Sequence, residues 1–225
     1  MSERKEEKYI IDISDYLHLR SILRQIAKPD KNSGAGNKYS VRSLYFDSLN
    51  DDAFFDKING VNNREKFRIR FYNRRVGLIK LEKKSKISTE TIKDSVNISE
   101  YQARRIIDND TSWMISEDSA LLREFYAKYK TTPLVPKNIV EYTREAFIFD
   151  NLNIRITFDS DIRSTTLSAD LFNLDVPMIK LTDKIILEVK YDTFIPEYIK
   201  AILNQIDKKT VSYSKYANSR MLLID

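Results

Sequence analysis

Several short stretches of this chain alternate charged and apolar residues with a period of two, and few folds accommodate that pattern so often repeated. In Lys66–Phe71, the residues Lys66, Arg68 and Arg70 fall on one side and Phe67, Ile69 and Phe71 on the other. Ile79–Lys84 sets Lys80, Glu82 and Lys84 against Ile79 and Leu81. Asn153–Asp159 opposes Arg155, Thr157 and Asp159 to Ile154, Ile156 and Phe158, and Ile186–Lys190 opposes Glu188 and Lys190 to Leu187 and Val189. The pattern opens the chain as well, with Arg4, Glu6 and Lys8. Alternation in one strand is what any antiparallel sheet with a wet face shows. Repetition sets this chain apart. Lys and Glu are poor strand formers, and rows of bases on neighbouring strands repel each other unless an anion relieves them. The charged faces therefore point to a polyanion site with a few carboxylates among its bases, a composition that also suits a metal ion.

The apolar halves of those strands need a cover. Helical stripes at Asp15–Ala27 (Leu17, Ile22, Leu23 and Ile26, with Ser14 as N-cap), Ser99–Asn109, Ser116–Lys130, Pro196–Gln205 and Ser214–Ile224 provide one. The strands expected between them run over 4–13, 39–47, 64–73, 78–86, 91–98, 138–149, 153–159 and 184–192. Asp51–Ile58 reads as a short helix or turn, Asp30–Asn37 as a polar loop, and Thr165–Leu181 as a longer connection. With helices on the outside, the charged faces turn inward. The expected fold is α+β: about eight antiparallel strands closing into a barrel around a basic, hydrated tunnel, flanked by helices. No repeat or linker divides the 225 residues, so a single domain over 1–225 is expected.

Composition excludes several chemistries. There is no cysteine, which removes disulfides, thiolate metal sites and Cys–His pairs. His18, the only histidine, falls on an expected surface helix, so a Ser–His–Asp site is not expected. Ser33–Lys38 has two glycines but not the spacing of a phosphate-binding P-loop. The net charge of +5 matters only if concentrated, as the strands imply. Exposed aromatics interleaved with bases are not evident, so nucleic acid is not an expected partner. No apolar run reaches the length of a membrane span and no signal peptide is apparent, so a soluble, cytoplasmic protein is expected.

Seven pieces in one order carry a family resemblance. They are Arg4-x-Glu6-x-Lys8-Tyr9; Val41–Asp47; Arg68-Ile69-Arg70-Phe71-Tyr72; Leu81-Glu82-Lys83-Lys84; Glu141–Phe147 followed by Ile154–Asp159; Leu187-Glu188-Val189-Lys190; and Ser214-Lys215-Tyr216. Together the chain resembles the vacuolar transporter chaperone (VTC) polyphosphate polymerase domain, a branch of the triphosphate tunnel metalloenzymes that include CYTH-type triphosphatases. The resemblance implies that Arg68, Arg70, Arg144 and Arg155 hold phosphates through their planar guanidinium forks, with Lys84 and Lys215 in the same catalytic group. It implies that Lys8, Lys57, Lys80, Lys93 and Lys190 add charge along the tunnel, Lys57 and Lys93 being placed by spacing alone. Ser214 would meet phosphate at the start of the last helix. Glu188 would bind Mn²⁺ or Mg²⁺, with Glu6 and Glu82 as accessory carboxylates.

The function so implied is transfer of the γ-phosphate of ATP to a growing inorganic polyphosphate chain. A triphosphatase acting on inorganic triphosphate or nucleoside triphosphates, and a non-catalytic polyphosphate-binding module, are the alternatives. Arg4 stands where many triphosphatases of this superfamily carry the first glutamate of an ExExK motif, which tells against simple metal-activated hydrolysis. Ser212 stands where yeast-like polymerase domains tend to carry a further lysine. Related eukaryotic domains work beside a membrane channel, so any membrane link of this chain is expected to come from a separate protein.

Overall fold

The computed structural model describes residues 5–31, 33–88 and 90–224. Its strands are β1 (Lys5–Ile11), β2 (Lys28–Pro29), β3 (Lys38–Ser48), β4 (Arg64–Tyr72), β5 (Arg75–Ile87), β6 (Glu90–Ile98), β7 (Leu134–Phe149), β8 (Ile154–Thr165), β9 (Ile179–Lys180), β10 (Ile185–Tyr191) and β11 (Lys209–Thr210). Its helices are α1 (Ile13–Ile26), α2 (Asp52–Ile58), α3 (Glu100–Ile107), α4 (Ala120–Thr131), α5 (Glu197–Leu203) and α6 (Lys215–Ile224). The α+β class is as expected, with a large sheet whose pairs β1–β10, β10–β8, β3–β4, β4–β5 and β5–β6 are antiparallel. Closure is not. The hydrogen-bonded order ends at β11 and β6, and among the described residues no pairing joins those ends.

The chain divides into two compact units. Unit 1 comprises residues 5–40, Tyr142–Ile162 and Lys180–Ser214; unit 2 comprises Val41–Glu141, Arg163–Ile179 and the chain from Lys215 on. In unit 1 the strand order is β11-β1-β10-β8-β7, with β2 added to β7. The apolar side of these strands (Tyr9, Ile11, Ile154, Ile156, Phe158, Leu187 and Val189) packs with Tyr16, Leu19 and Leu23 of α1 and Ile199 and Leu203 of α5. The α1 residues recur at three and four positions, which puts them on one helical face. The N-cap of α1 is Asp12 rather than the expected Ser14, which already lies inside the first turn.

In unit 2 the order is β7-β3-β4-β5-β6. Leu44, Phe46, Phe67, Ile69, Phe71, Ile79 and Leu81 form the strand side of its core, and Ala103 and Ile106 of α3 with Leu121, Leu122 and Phe125 of α4 form the helix side. Phe125 meets Phe46 and Phe67 edge-on at centroid distances of 5.5 and 5.2 Å. Ser99 caps α3 in a reciprocal box with Gln102, as its spacing predicts. The helix expected from Ser116 begins instead at Ala120, capped by Ser119; Ser112–Ser116 is a separate 3-10 turn. β4 and β5 are joined by Asn73-Arg74, both with positive φ (55° and 54°), the backbone that a tight two-residue hairpin of right-handed twist requires.

Two charged residues of the Val41–Asp47 stretch are structural. Arg42 is on the apolar side with Leu44 and Phe46, where its guanidinium donates to the carbonyls of Leu171, Asp170 and Asn173 and to Glu141. Asp47 accepts from the backbone N–H groups of Ser48, Ala53 and Phe54 and from the Tyr216 hydroxyl, so it anchors the start of α2 and not an arginine. No helix among the described residues is long and apolar enough to cross a membrane.

Candidate functional site: two charged strand faces

The register of unit 2 brings the expected bases together. Arg68 lies opposite Glu82 and Tyr45, Arg70 opposite Lys80 and Ser43, and Lys84 opposite Lys66 and Lys93. Paired residues on antiparallel neighbours share a face, so these side chains all leave the sheet on the side opposite the apolar core that α3 and α4 cover. Arg68 donates to Glu82 Oε2 from Nε at 2.7 Å, and Arg70 approaches the same oxygen at 3.6 Å. Lys93 holds the other oxygen at 2.6 Å. Glu82 is 2% exposed. Burial alone would raise its pKa, but Arg68, Arg70 and Lys93 outweigh burial and hold the carboxyl well below its usual range.

Two tyrosines register the same positive field. Arg68 donates to the Tyr45 hydroxyl at 3.2 Å and Arg70 to the Tyr72 hydroxyl at 3.0 Å. Burial pushes both phenols up, and the neighbouring charges reverse the shift: Arg68, Arg70 and Lys215 for Tyr45, chiefly Arg70 for Tyr72. Lys215 is the first residue of α6 and Ser214 is the buried residue before it. Lys57 is in the last turn of α2, which packs against β4 and α6. Across β4, β5 and β6, Glu82 is the one carboxylate on this face, set against Lys66, Arg68, Arg70, Lys80, Lys84 and Lys93.

The face of unit 1 contains the remaining expected residues in a different balance. Glu6 and Lys8 on β1 lie opposite Lys190 and Glu188 on β10, which lie opposite Arg155 and Thr157 on β8. Lys8 Nζ is 2.7 Å from Glu6 and 3.7 Å from Glu188, and it donates to the Tyr213 carbonyl at 3.3 Å. Lys190 Nζ is 2.7 Å from Glu188 and 3.6 Å from Glu6. Burial works against the Lys8 charge, yet Glu188 and Glu6 prevail and raise its pKa. Arg144 makes a two-pronged pair with the fully buried Asp159, at 2.6 and 2.7 Å. Arg155 pairs with buried Asp30 and donates to the Tyr39 hydroxyl at 2.9 Å.

Glu6 and Glu188 thus project from adjacent strands toward the same two ammonium groups. Hard carboxylate oxygens that converge on a shared cation fit the donor chemistry of Mn²⁺ or Mg²⁺. No group of three or more His, Cys, Asp or Glu gathers among the described residues, so phosphate or water oxygens would complete such a shell. Glu82 has a different setting, surrounded by three cations that favour an anion beside it.

Sequence reasoning gave no site role to Tyr45, Tyr39, Asp30 or Lys66, although it had already set Lys66 on a charged face beside Arg68. Tyr45 and Lys66 were discoverable, since they share the parity of Ser43 and Arg68 on their strands. Asp30 was not, because it follows a two-residue strand in a stretch that reads as loop. His18 sits at the surface, as expected, with its Nε2 2.8 Å from Gln205. Arg4 lies outside the described residues.

A model of the VTC domain family matches residues 3–224 of this chain. No curated protein sequence matches it. Among solved structures, a Bacillus halodurans protein provisionally assigned as an adenylate cyclase aligns over 91% of this chain and 87% of its own, with a TM-score of 0.52 and 12% identity. PH1819 of Pyrococcus horikoshii covers 98% of both chains at 14% identity and a TM-score of 0.49. The Mimivirus capping enzyme triphosphatase covers 91% of this chain and 88% of its own at 12% identity and a TM-score of 0.42. At this identity the first of these speaks to the fold alone.

Proposed function

This chain belongs to the VTC domain family, and from that premise we propose that it is an ATP-dependent polyphosphate polymerase. The observation that carries the reading is the charge imbalance around Glu82: across β4 to β6, one buried carboxylate amid a row of bases, on the side of the sheet opposite α3 and α4. Such a face suits a polyanion whose charge is spread along a chain.

The terminal phosphate of the growing chain attacks the γ-phosphorus of ATP; the new P–O bond forms as the bond to the β-phosphate oxygen breaks, and ADP leaves. A phosphate nucleophile is already ionised near neutral pH, so the scarcity of histidine and cysteine is no obstacle. What the protein must supply is alignment and charge neutralisation. In this proposal Arg68 and Arg70, oriented by Glu82, clamp phosphate oxygens, and Lys84, Lys93, Lys80, Lys57 and Lys215 add charge. Arg144 and Arg155, each anchored by a carboxylate, turn their remaining N–H groups to phosphate, with Lys8, Lys190 and Ser214 as further contacts. Glu188 with Glu6 would hold Mn²⁺ or Mg²⁺, which when bound neutralises phosphate charge. Closure of the strands into a tunnel, action of residues 1–225 as one domain and a cytoplasmic setting belong to the same proposal.

A phosphorus NMR time course of the purified protein with ATP and Mn²⁺ or Mg²⁺, with and without a short polyphosphate primer, tests it. Internal-phosphate signals growing together with ADP are the expected result. Free phosphate as the main product would replace the proposal with a triphosphatase. Tight polyphosphate binding without turnover would leave a binding module.

A further inference from the structure

β3 supplies no base to the charged face of unit 2, yet it lies directly beside the arginine strand. Its residues on that side are Ser43, opposite Arg70, and Tyr45, opposite Arg68. Both are buried, Ser43 fully and Tyr45 to 3% exposure. The Ser43 hydroxyl has no hydrogen-bond partner among the described residues. The Tyr45 hydroxyl accepts from Arg68, and its own proton has no acceptor among them. Buried donors are almost always satisfied, and an exception calls for a ligand or water.

The surroundings decide which acceptor would suit. Glu82 is already held by Arg68, Arg70 and Lys93, and Asp47, two residues beyond Tyr45 on β3, by the backbone of Ser48, Ala53 and Phe54 and by the Tyr216 hydroxyl. The Tyr45 ring is fixed by stacking on Tyr216, with centroids 5.2 Å apart, so its hydroxyl cannot turn away to solvent without breaking that contact. Cations also surround the phenol closely enough to lower its pKa against burial, which makes it a stronger donor. An oxyanion brought in by the arginines would give both hydroxyls their missing acceptor.

We propose that Tyr45 and Ser43 are direct, uncharged ligands of bound phosphate, completing on β3 the contacts that Arg68 and Arg70 begin on β4. The inference rests on the reading of this face as the anion site. Charged side chains attract any polyanion; hydroxyls of fixed direction add a requirement for oxygen lone pairs at set positions, and hence selectivity among anions.

Calorimetric titration of tripolyphosphate into the full chain, at low and high ionic strength, separates the possibilities. Tyr45→Phe keeps the stacked ring and Ser43→Ala keeps the backbone, and thermal melts verify each fold. Each variant is expected to bind about three- to tenfold more weakly than the parent. Their salt dependence should equal the parent's, since no ion pair is lost, whereas Arg70→Ala should flatten it. Affinities within about twofold of the parent, alongside a weakened Arg70→Ala, would overturn the hydroxyl assignment and leave the anion site standing. A flattened salt response in Tyr45→Phe would mean that the phenol acts only by orienting Arg68. An unaffected Arg70→Ala would sink the anion-site reading itself.

Discussion

The charged faces of units 1 and 2 are made of the same residue types on the same kind of strand, but their charges are balanced differently. In unit 1, Lys8 and Lys190 share Glu6 and Glu188, Arg144 has Asp159, and Arg155 has Asp30. In unit 2, Arg68, Arg70 and Lys93 converge on Glu82, and β4 to β6 place Lys66, Lys80 and Lys84 on the same face without adding a second carboxylate. A basic strand face therefore does not by itself mean an anion site. What matters is whether the fold has already supplied the counter-charge. In the proposed reading, unit 1 offers its paired carboxylates to a hard cation, and the β4–β6 face of unit 2 offers a polyanion more bases than carboxylates.

Removing a paired base in unit 1 should damage the fold most. Arg144→Ala removes the guanidinium paired two-pronged with buried Asp159 and should cost about 3–5 kcal/mol in urea unfolding. Adding Asp159→Asn should recover part of that loss; full stability of the single variant would show that the pair is not needed. Next in size is Glu188→Gln, expected to lower metal-dependent turnover by about a hundredfold while tripolyphosphate affinity stays within about threefold. Equal loss of both would erase the distinction between a cation side and an anion side.

Titration sharpens the comparison. The Glu82 carboxyl is depressed by its arginines, so its stabilising contribution is complete above its ordinary value of 4.5 and is lost as pH falls through the folded value. Lys8 is raised by its glutamates, so its contribution is present below its ordinary value of 10.5 and is lost as pH rises through the folded one. Melting temperatures below pH 4.5 should therefore fall more steeply for the parent than for Glu82→Gln. Parallel curves would contradict the proposed role of Glu82 as the anchor of Arg68 and Arg70. The smallest effect is expected from Lys93→Gln, whose half-exposed ion pair is worth about 1 kcal/mol or less in stability.

The strand faces were legible because alternation is a local property of the chain: Lys66–Phe71 and Ile186–Lys190 sort into core and charged sides as it predicts. The capping box at Ser99 was legible for the same local reason. Partners were not. Nothing near Arg155 in sequence announces Asp30, and Lys83, on the apolar side of β5, finds its counter-charges in Glu65 and Glu124 from other elements. The units themselves are each assembled from three separated stretches, so no shift in composition along the chain marks them. The excess charge of one face over the other emerges only when register shows which carboxylates fall among which bases.

The most direct test of that excess is tripolyphosphate titration of the Arg68→Ala/Arg70→Ala double variant against the parent at matched salt, with fold checked by thermal melting. Each charge-assisted contact is worth about 1.5–3 kcal/mol, so binding should weaken by at least about a hundredfold while the protein still melts cooperatively. Unchanged affinity in a folded double variant would show that the surplus of positive charge on unit 2 is not what captures the phosphate chain.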